Sequence, residues 1–221
     1  IWFRVIFSVA QDKGGASSSR IASQFGLPQK TAWLMLLKLR TAMADRNELT
    51  KLEGIIELDE AFINKEARKY QPEPGTETKI LVMTEEEHDH AGKIYVQVLN
   101  AATCANIRDA VEFATVAEQK HFFKADGLHA HHELRRMGHG SDLQPAPGKM
   151  GLEKLPWMHT FVSLIRRFLV GTCHGVSPKL LQLYLDEFAF RANRRFGQAK
   201  IWQSLIRACA FAKPVTLAEL K

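Results

Sequence analysis

The sequence has little cysteine, and its cysteines are scattered. Cys104, Cys173 and Cys209 are the only three in 221 residues, and no two are spaced as in a Cys-x-x-Cys pair. Neither a disulfide framework nor a cysteine-ligated zinc site is therefore expected. A reducing cytoplasm is the simplest compartment for such a chain, because disulfide-dependent proteins occupy oxidising ones.

Long apolar runs are also lacking. No run approaches the roughly 20 residues that a membrane-spanning helix needs, so we expect no membrane partner. Residues 1–10 are apolar, but they are few, include Arg4, and carry neither a cleavage pattern nor an initiator Met. We interpret them as the first helix of a chain that continues upstream.

The net charge of +6 is unevenly distributed. Residues 1–51 carry a net charge of +5, residues 52–159 carry −6, and residues 160–213 carry +7. Basic ends around an acidic middle fit a nucleic acid held around a cation-binding centre. Ordinary surface charge that serves solubility fits the same distribution equally well.

Residues 16–43 predict two helices joined by a tight turn. The serines at 17–19 offer N-cap hydroxyls, Gly26 ends the first helix, and Pro28 can begin the second, which continues to Ala42. This is the helix-turn-helix pattern, in which the second helix enters a major groove of DNA. A plain helical hairpin is the alternative. The candidate DNA contacts in this segment are Arg20, Gln29, Lys30, Thr31 and Lys38.

From Gly54 the periodicity becomes that of a sheet. We predict strands over 54–63, 79–84, 93–99 and 121–125, and helices over 103–119, 157–170, 177–195 and 199–211. Residues 71–75, 85–92 and 137–151 are predicted to be loops or turns.

Three strands, a helix, a fourth strand and further helices follow the order of the ribonuclease H-like α/β fold. In that fold a mixed sheet has flanking helices, and its first and fourth strands are neighbours. We therefore predict a small all-α helix-turn-helix DNA-binding domain over residues 1–51 and a ribonuclease H-like domain over residues 52–213.

Two aspartates occur at the ends of these neighbouring strands. Asp59 is embedded in the apolar run 54–63, and Asp126 ends the run that starts at His121. A carboxylate on a buried strand costs free energy unless something compensates it, so two that converge suggest a bound cation. Such a centre suits phosphoryl transfer on a nucleic acid. The alternative is that each aspartate only caps a turn, as Asp before Gly commonly does.

Other polar residues near these strands have less specific patterns. Glu57 points to the same strand face as Asp59 and is predicted to support the metal ligands, whereas Glu60 points to the other face and is predicted to meet solvent. An exposed polar loop is favoured over a transition-metal site for the histidines at 129, 131, 132 and 139.

Basic side chains of the C-terminal helices are candidate contacts to DNA phosphates. These are Arg166, Arg167, Arg194 and Arg195. Ion pairs of Arg194 or Arg195 with Asp186 or Glu187 are the alternative.

Several stretches together resemble one known family. They are residues 13–17, 30–33, 37–40, 56–60, 125–127, 155–159, 166–167, 171–172, 174–177, 184–188 and 191–195. They resemble bacterial insertion-sequence transposases of the DDE class, which carry a helix-turn-helix before a ribonuclease H-like domain. The resemblance implies strand cleavage and transfer at element ends, with Mg²⁺ or Mn²⁺ held by catalytic carboxylates at Asp59 and Asp126. It also implies double-stranded DNA (terminal repeats and target) as partner, a homo-oligomer on that DNA, and a place on the bacterial nucleoid.

Two departures from the family pattern bear on function. The family normally begins with a zinc ribbon of paired cysteines, which this sequence lacks. The family also places its third ligand, Glu or in some branches Asn, five residues after a histidine that matches His159. That position is Leu164, whose side chain has no lone pair for a metal. His159 itself is expected to orient the active-site helix or to contact a phosphate. We therefore expect a poor catalyst or an inactive, site-specific DNA-binding derivative.

Overall fold

The computed structural model describes residues 1–64, 77–88, 90–143, 154–216 and 218–219, without the side chains of 198 and 199. Its α-helices are α1 (Trp2–Gln11), α2 (Ser18–Phe25), α3 (Gln29–Asn47), α4 (Cys104–Ala114), α5 (Glu133–Arg136), α6 (Pro156–Gly171), α7 (Leu181–Ala192) and α8 (Gln198–Phe211). Short 3₁₀ helices span His129–His132 and Pro178–Leu180. None of the helices in these ranges is long and apolar enough to cross a bilayer.

The strands form one mixed sheet. They are β1 (Ile55–Asn64), β2 (Glu77–Glu86), β3 (Ala91–Leu99), β4 (Phe122–Ala125) and β5 (Gly140–Leu143), in the spatial order β3-β2-β1-β4-β5. The pairs β1–β2 and β2–β3 are antiparallel, whereas β1–β4 and β4–β5 are parallel. The ribonuclease H-like fold predicted from the strand order is confirmed, with β1 and β4 as neighbours.

The sheet differs from the prediction at its turns. Much of the charged segment 85–92 belongs to strands, because β2 continues to Glu86 and β3 begins at Ala91. Residues 137–151 contain the fifth strand β5, which was predicted as loop. Strand β5 has only four residues and begins at Gly140, so it offers too short an alternation to be recognised. The predicted loop over 71–75 lies outside the described residues.

The chain divides into two compact units, and the boundary lies within α6. Ile1–Leu49 and Arg167–Lys221 form one unit, and Thr50–Asn64 with the described part of Gln71–Arg166 forms the other. The predicted domains 1–51 and 52–213 place the C-terminal helices differently, since here these helices belong with α1, α2 and α3. The functional assignment of those domains stays a prediction.

Helix α2 begins and ends by local capping. The Ser17 hydroxyl accepts the backbone N–H of Arg20, and Gly26 ends α2 in the left-handed conformation with a φ of 63°. Helix α3 then begins at Gln29, as predicted, but continues to Asn47. Its buried face joins residues of α1, α7 and α8, including Phe190 and Leu205, in one apolar core.

A buried carboxylate ties this helical unit together. Glu187 accepts hydrogen bonds from Arg40 at 2.7 Å and from Arg191 at 2.7 and 2.9 Å. Arg191 also donates to the backbone oxygens of Val9 and Asp12, so α1 joins the network. Burial alone would raise the pKa of Glu187, but the two guanidinium groups lower it. The partners of Glu187 are therefore not the Arg194 and Arg195 of the alternative considered above.

We expect Glu187→Ala to destabilise the protein by about 3–5 kcal/mol, because it leaves two guanidinium groups buried without their counter-charge. The measurement is urea unfolding followed by circular dichroism. Glu48→Ala, which removes an exposed carboxylate of the same unit, is the control and should cost less than about 0.5 kcal/mol. Equal losses in the two variants would contradict the structural role of the network.

Candidate active site

The pairing of β1 with β4 brings two aspartates together. Leu58 and Ala125 are paired in parallel register, and Asp59 and Asp126 are the next residues of the two chain segments. Neighbouring strands lie about 4.8 Å apart. The charge of Asp126 also contributes to the electrostatic environment of Asp59. The two aspartates thus converge at one place on the sheet, as the strand order predicts.

Asp59 is partly buried, and its surroundings disfavour the ionised form of its carboxylate. Its Oδ1 accepts the backbone N–H of Glu60 at 2.7 Å. Burial first, and then the negative charge of Asp126, raise the pKa of Asp59 to about 6. A cation beside Asp59 would relieve both causes, because it would compensate the desolvation and screen the repulsion.

Asp126 is ionised more readily, and one of its oxygens is fixed. The Asp126 Oδ1 lies 2.8 Å from the Nδ1 of His131 and accepts the backbone N–H of Leu128 at 3.1 Å. The hydrogen bond from His131 lowers the pKa of Asp126, against the opposing effect of burial. The side chain remains 43% exposed, so its carboxylate is accessible to a ligand.

His131 is buried between two carboxylates. Its side chain has 0% exposure, and its Nε2 lies 3.2 Å from the Oε1 of Glu60. Burial would lower the pKa of His131, but the hydrogen bonds to Asp126 and Glu60 outweigh it and raise the pKa to about 10. The predicted exposure is confirmed for His129 and His132, which lie on a 3₁₀ helix rather than in a loop. It is wrong for His131, which is buried, and His139 is only partly exposed.

Glu60 also differs from its prediction. It was expected to meet solvent, yet its side chain is only 8% exposed because it faces the buried ring of His131. The alternation of β1 does place Glu60 on the face opposite Asp59, but that face is covered by the core that includes Leu58 and Ala130. The prediction that Glu60 faces solvent is therefore wrong.

Glu57 anchors the first turn of α6. It is fully buried, and its Oε2 accepts the backbone N–H of Met158 at 2.7 Å. Burial raises the pKa of Glu57 to about 7, although the Met158 N–H partly opposes this. Its Oε1 has no hydrogen-bond partner within the described part of the chain. Glu57 therefore positions α6 against β1, and its support of a metal site stays a prediction.

Helix α6 also carries His159 and Leu164. His159 is partly buried, and Leu164 is 39% exposed, so the leucine is not a core residue that packing requires. Over the ranges given above, no three His, Cys, Asp or Glu side chains are grouped to hold a metal ion. The described residues thus offer a pair of carboxylates rather than a complete triad.

The candidate DNA contacts of the helix-turn-helix segment differ in their exposure and in their hydrogen-bond or ion-pair partners. Arg20, Lys30 and Thr31 are exposed, and Arg20 is ion-paired with Asp12. Gln29 donates to the hydroxyl of Ser19 at 3.1 Å. Lys38 instead lines a cavity of about 300 Å³ among residues of α1, α3 and α8.

The four candidate arginines of the C-terminal part are also divided. Arg166 is exposed on α6 and donates to the backbone oxygen of Phe62 at 3.2 Å, and Arg167 is exposed beside it. Arg194 lies over the ring of Phe190, and burial lowers its pKa to about 10. Arg195 is exposed and lies over the ring of Phe196. Arg194 is thus the least accessible of the four.

Comparison with known proteins gives one family match. The family model described as "ISXO2-like transposase domain" matches residues 51–193, which include both aspartates and α6. A search of curated proteins finds no match.

Solved structures give distant likenesses. A pre-cleavage Mos1 transpososome has 13% identity and a TM-score of 0.36, with 89% of this chain and 74% of that chain covered. The Mos1 mariner paired-end complex with Mn has 13% identity, a TM-score of 0.35 and the same coverage. A Mos1 transposase paired-end complex with the left transposon end has 12% identity and a TM-score of 0.38, with 94% and 77% covered. Likeness at these TM-scores determines neither activity, metal nor assembly for this chain.

We expect opposite effects from Asp59→Asn and Asp126→Asn on thermal stability, measured with EDTA present. The folded-state pKa of Asp59 lies above its ordinary value of 3.8, at about 6, so its ionised form destabilises the fold above pH 6. Asp59→Asn should therefore raise the unfolding temperature by roughly 2–5 °C at pH 8, and by much less at pH 4.

The pKa of Asp126 is lowered, so its ionised form stabilises the fold at neutral pH and loses that effect as the pH falls through the lowered value. Asp126→Asn should therefore lower the unfolding temperature at pH 8. A loss of stability in both variants at that pH would contradict the assigned environments.

Proposed function

Because the chain belongs to the ISXO2-like transposase domain family, we propose that it is a DDE-class transposase acting on the ends of an insertion sequence. The reaction is hydrolysis of a phosphodiester, followed by attack of the freed 3′ hydroxyl on target DNA. The observation that carries this proposal is the parallel register of β1 and β4, in which Asp59 and Asp126 directly follow the last paired residues, Leu58 and Ala125.

A divalent cation fits the pair of aspartates in part. Carboxylate oxygens are the donors that Mg²⁺ prefers, and the pKa of Asp59, raised to about 6 by burial and by Asp126, is the mark of a carboxylate that lacks a counter-charge. Asp59 and Asp126 would hold the ion. When bound, Mg²⁺ or Mn²⁺ would polarise the phosphoryl group and lower the pKa of the attacking water.

Residues around the two aspartates set the ionisation of these carboxylates and the position of α6. Asp126 is kept ionised by the hydrogen bond from His131, so it is ready to accept a cation at neutral pH. Asp59 is deprotonated only above a pH of about 6, so cation binding should strengthen as the pH rises through that value. Glu57 keeps the first turn of α6 on β1, which fixes the helix that carries the third position.

Leu164 favours a second candidate function. The third ligand of the resembling family falls on this leucine, and the described residues contain no third carboxylate grouped with the two aspartates. A protein that still binds element ends without cutting them, a site-specific DNA-binding derivative, accounts for this substitution. Binding that survives Asp59→Ala, with no nicking by the parent protein, would favour this second function.

The remaining proposals concern partners and place. The exposed Arg20, Gln29, Lys30 and Thr31 are proposed to contact terminal-repeat DNA, and the exposed Arg166, Arg167 and Arg195 to contact phosphates. We further propose a homo-oligomer on paired ends and, in the cell, association with the bacterial nucleoid.

We expect Leu164→Glu and Leu164→Asn to increase Mg²⁺-dependent nicking of terminal-repeat DNA by about tenfold or more, because each adds an oxygen donor at the incomplete position. The measurement is nicking of a labelled end fragment by this chain, with Mg²⁺ and with EDTA.

Leu164→Met is the matched control, since it changes shape without adding an oxygen ligand, and it should leave the rate unchanged. Asp59→Asn in the Leu164→Glu background should abolish the gain. If Leu164→Glu and Leu164→Asn both fold and neither exceeds Leu164→Met, the third ligand does not belong at position 164.

We also expect Lys30→Ala to weaken binding to terminal-repeat DNA and to reduce the slope of log K against log salt by about 1, the effect of losing one phosphate contact. Fluorescence anisotropy over a salt series measures both. Lys179→Ala removes a charge that is also exposed, from the 3₁₀ helix Pro178–Leu180, and is the control. The same slope change in both variants would argue against a specific interface at the start of α3.

A further inference from the structure

The segment that follows β4 begins at Asp126, and later residues of the segment contact this aspartate. The backbone N–H of Leu128 donates to Asp126 Oδ1 at 3.1 Å, and the N–H of His131 donates to the Leu128 oxygen at 2.9 Å. These bonds start the 3₁₀ helix His129–His132, within which Ala130 is buried in the core of the sheet. The backbone of His131 is thus held, and its ring returns toward Asp126.

The ring of His131 joins two strands through their carboxylates. Nδ1 lies 2.8 Å from Asp126 Oδ1, immediately after β4, and Nε2 lies 3.2 Å from Glu60 Oε1 in β1. Glu60 directly follows Asp59. The two contacts therefore connect Asp126 to the acidic segment of β1 through one rigid ring.

Asp126 needs such a constraint. Its side chain is 43% exposed and lies beyond the last paired residue of β4, so the sheet itself does not fix its rotamer. The like charge of Asp59 would also favour turning Asp126 toward solvent. The contacts that the structure gives to the Asp126 carboxylate involve Oδ1. These contacts hold Oδ1 against the protein. Because the two oxygens belong to one planar carboxylate, they also determine the orientation of Oδ2.

We propose that His131 is a positioning residue that sets the orientation of Asp126 relative to Asp59, with Glu60 holding the ring in place. In its consequence for cation binding, this inference rests on the proposed function, because it treats Asp126 as a ligand. The alternative is that His131 is a buried side chain that only keeps the 3₁₀ helix packed.

Amide substitutions separate these two roles. In His131→Asn the side-chain NH₂ takes roughly the place of Nδ1 and can still donate to Asp126, whereas in His131→Gln it takes roughly the place of Nε2 and reaches only Glu60. His131→Ala removes both contacts. His132→Ala, an exposed neighbour on the same 3₁₀ helix, is the matched control.

The first measurement is Mn²⁺ affinity at pH 8, followed by the electron paramagnetic resonance of the free ion. We expect His131→Asn to stay within about threefold of the parent, and His131→Gln and His131→Ala to lose about 10- to 100-fold, as for other residues that orient metal ligands. His132→Ala should bind as the parent does. Equal losses in the Asn, Gln and Ala variants, or none in His131→Ala, would overturn the proposal.

The second measurement uses metal-free crystals and does not depend on the proposed function. Asp126 should keep its rotamer in His131→Asn and turn toward solvent in His131→Gln; an unchanged rotamer in His131→Gln would overturn the positioning role. If the parent binds no Mn²⁺, the proposed function fails, while the rotamers still decide the role of His131.

If the Gln and Ala variants do not fold, Glu60→Ala gives the same test, since it frees the ring from β1. Mn²⁺ affinity and an Asp126 rotamer that both stay as in the parent would then overturn the proposal.

Discussion

The parallel pairing of β1 with β4 is the constraint on which the candidate site depends. Four paired positions, from Ile55 with Phe122 to Leu58 with Ala125, set the register. In a sheet the side-chain period is two residues, so a slip of one would send Asp59 and Asp126 to opposite faces. The register is held by burial, because Leu58, Phe123 and Ala125 all belong to the apolar core of the sheet. The position of the carboxylates is thus a by-product of apolar packing.

The acidic residues around this pairing occupy different electrostatic environments. Asp59 is left with a raised pKa, whereas that of Asp126 is lowered by an adjacent imidazole. Glu57 lies on the face of β1 shared with Asp59, but its charged neighbours are Glu86 and Lys124. Acidic residues that look alike in the sequence therefore have different contacts. Asp126 influences the charge of Asp59, Glu60 contacts the ring of His131, and Glu57 accepts a backbone N–H of α6.

Much of the fold could be predicted because its elements follow simple rules. The apolar alternation of β3 and the capping at Ser17 and Gly26 are local signals, and the strand order limits the sheet to few topologies. The two aspartates could be found because each interrupts an apolar run. Their convergence followed from the fold rather than from their spacing.

The rest could not be predicted because it depends on which polar groups meet across the fold. His131 and Glu60 are separated by 71 residues, and each resembles a surface residue until the other is placed beside it. Arg40 likewise lies among exposed-looking positions of α3, yet it is buried against Glu187. Periodicity reports which face of an element is apolar, and it cannot tell a solvated polar residue from one that has a buried partner.

The network around Glu187 has a consequence for how the chain is made. Helices α1 and α3 leave the ribosome before α7 and α8, which supply the carboxylate that neutralises Arg40 and the rings and aliphatic groups that complete the apolar core. Glu187 follows Arg40 by 147 residues, so synthesis at about 5–20 residues per second leaves the nascent helices incomplete for about 7–29 seconds. A product that stops before α7 would therefore expose apolar surface and become a substrate for chaperones and proteases. Premature termination before α7 would thus prevent α1 and α3 from folding stably, even though both helices are completely synthesised.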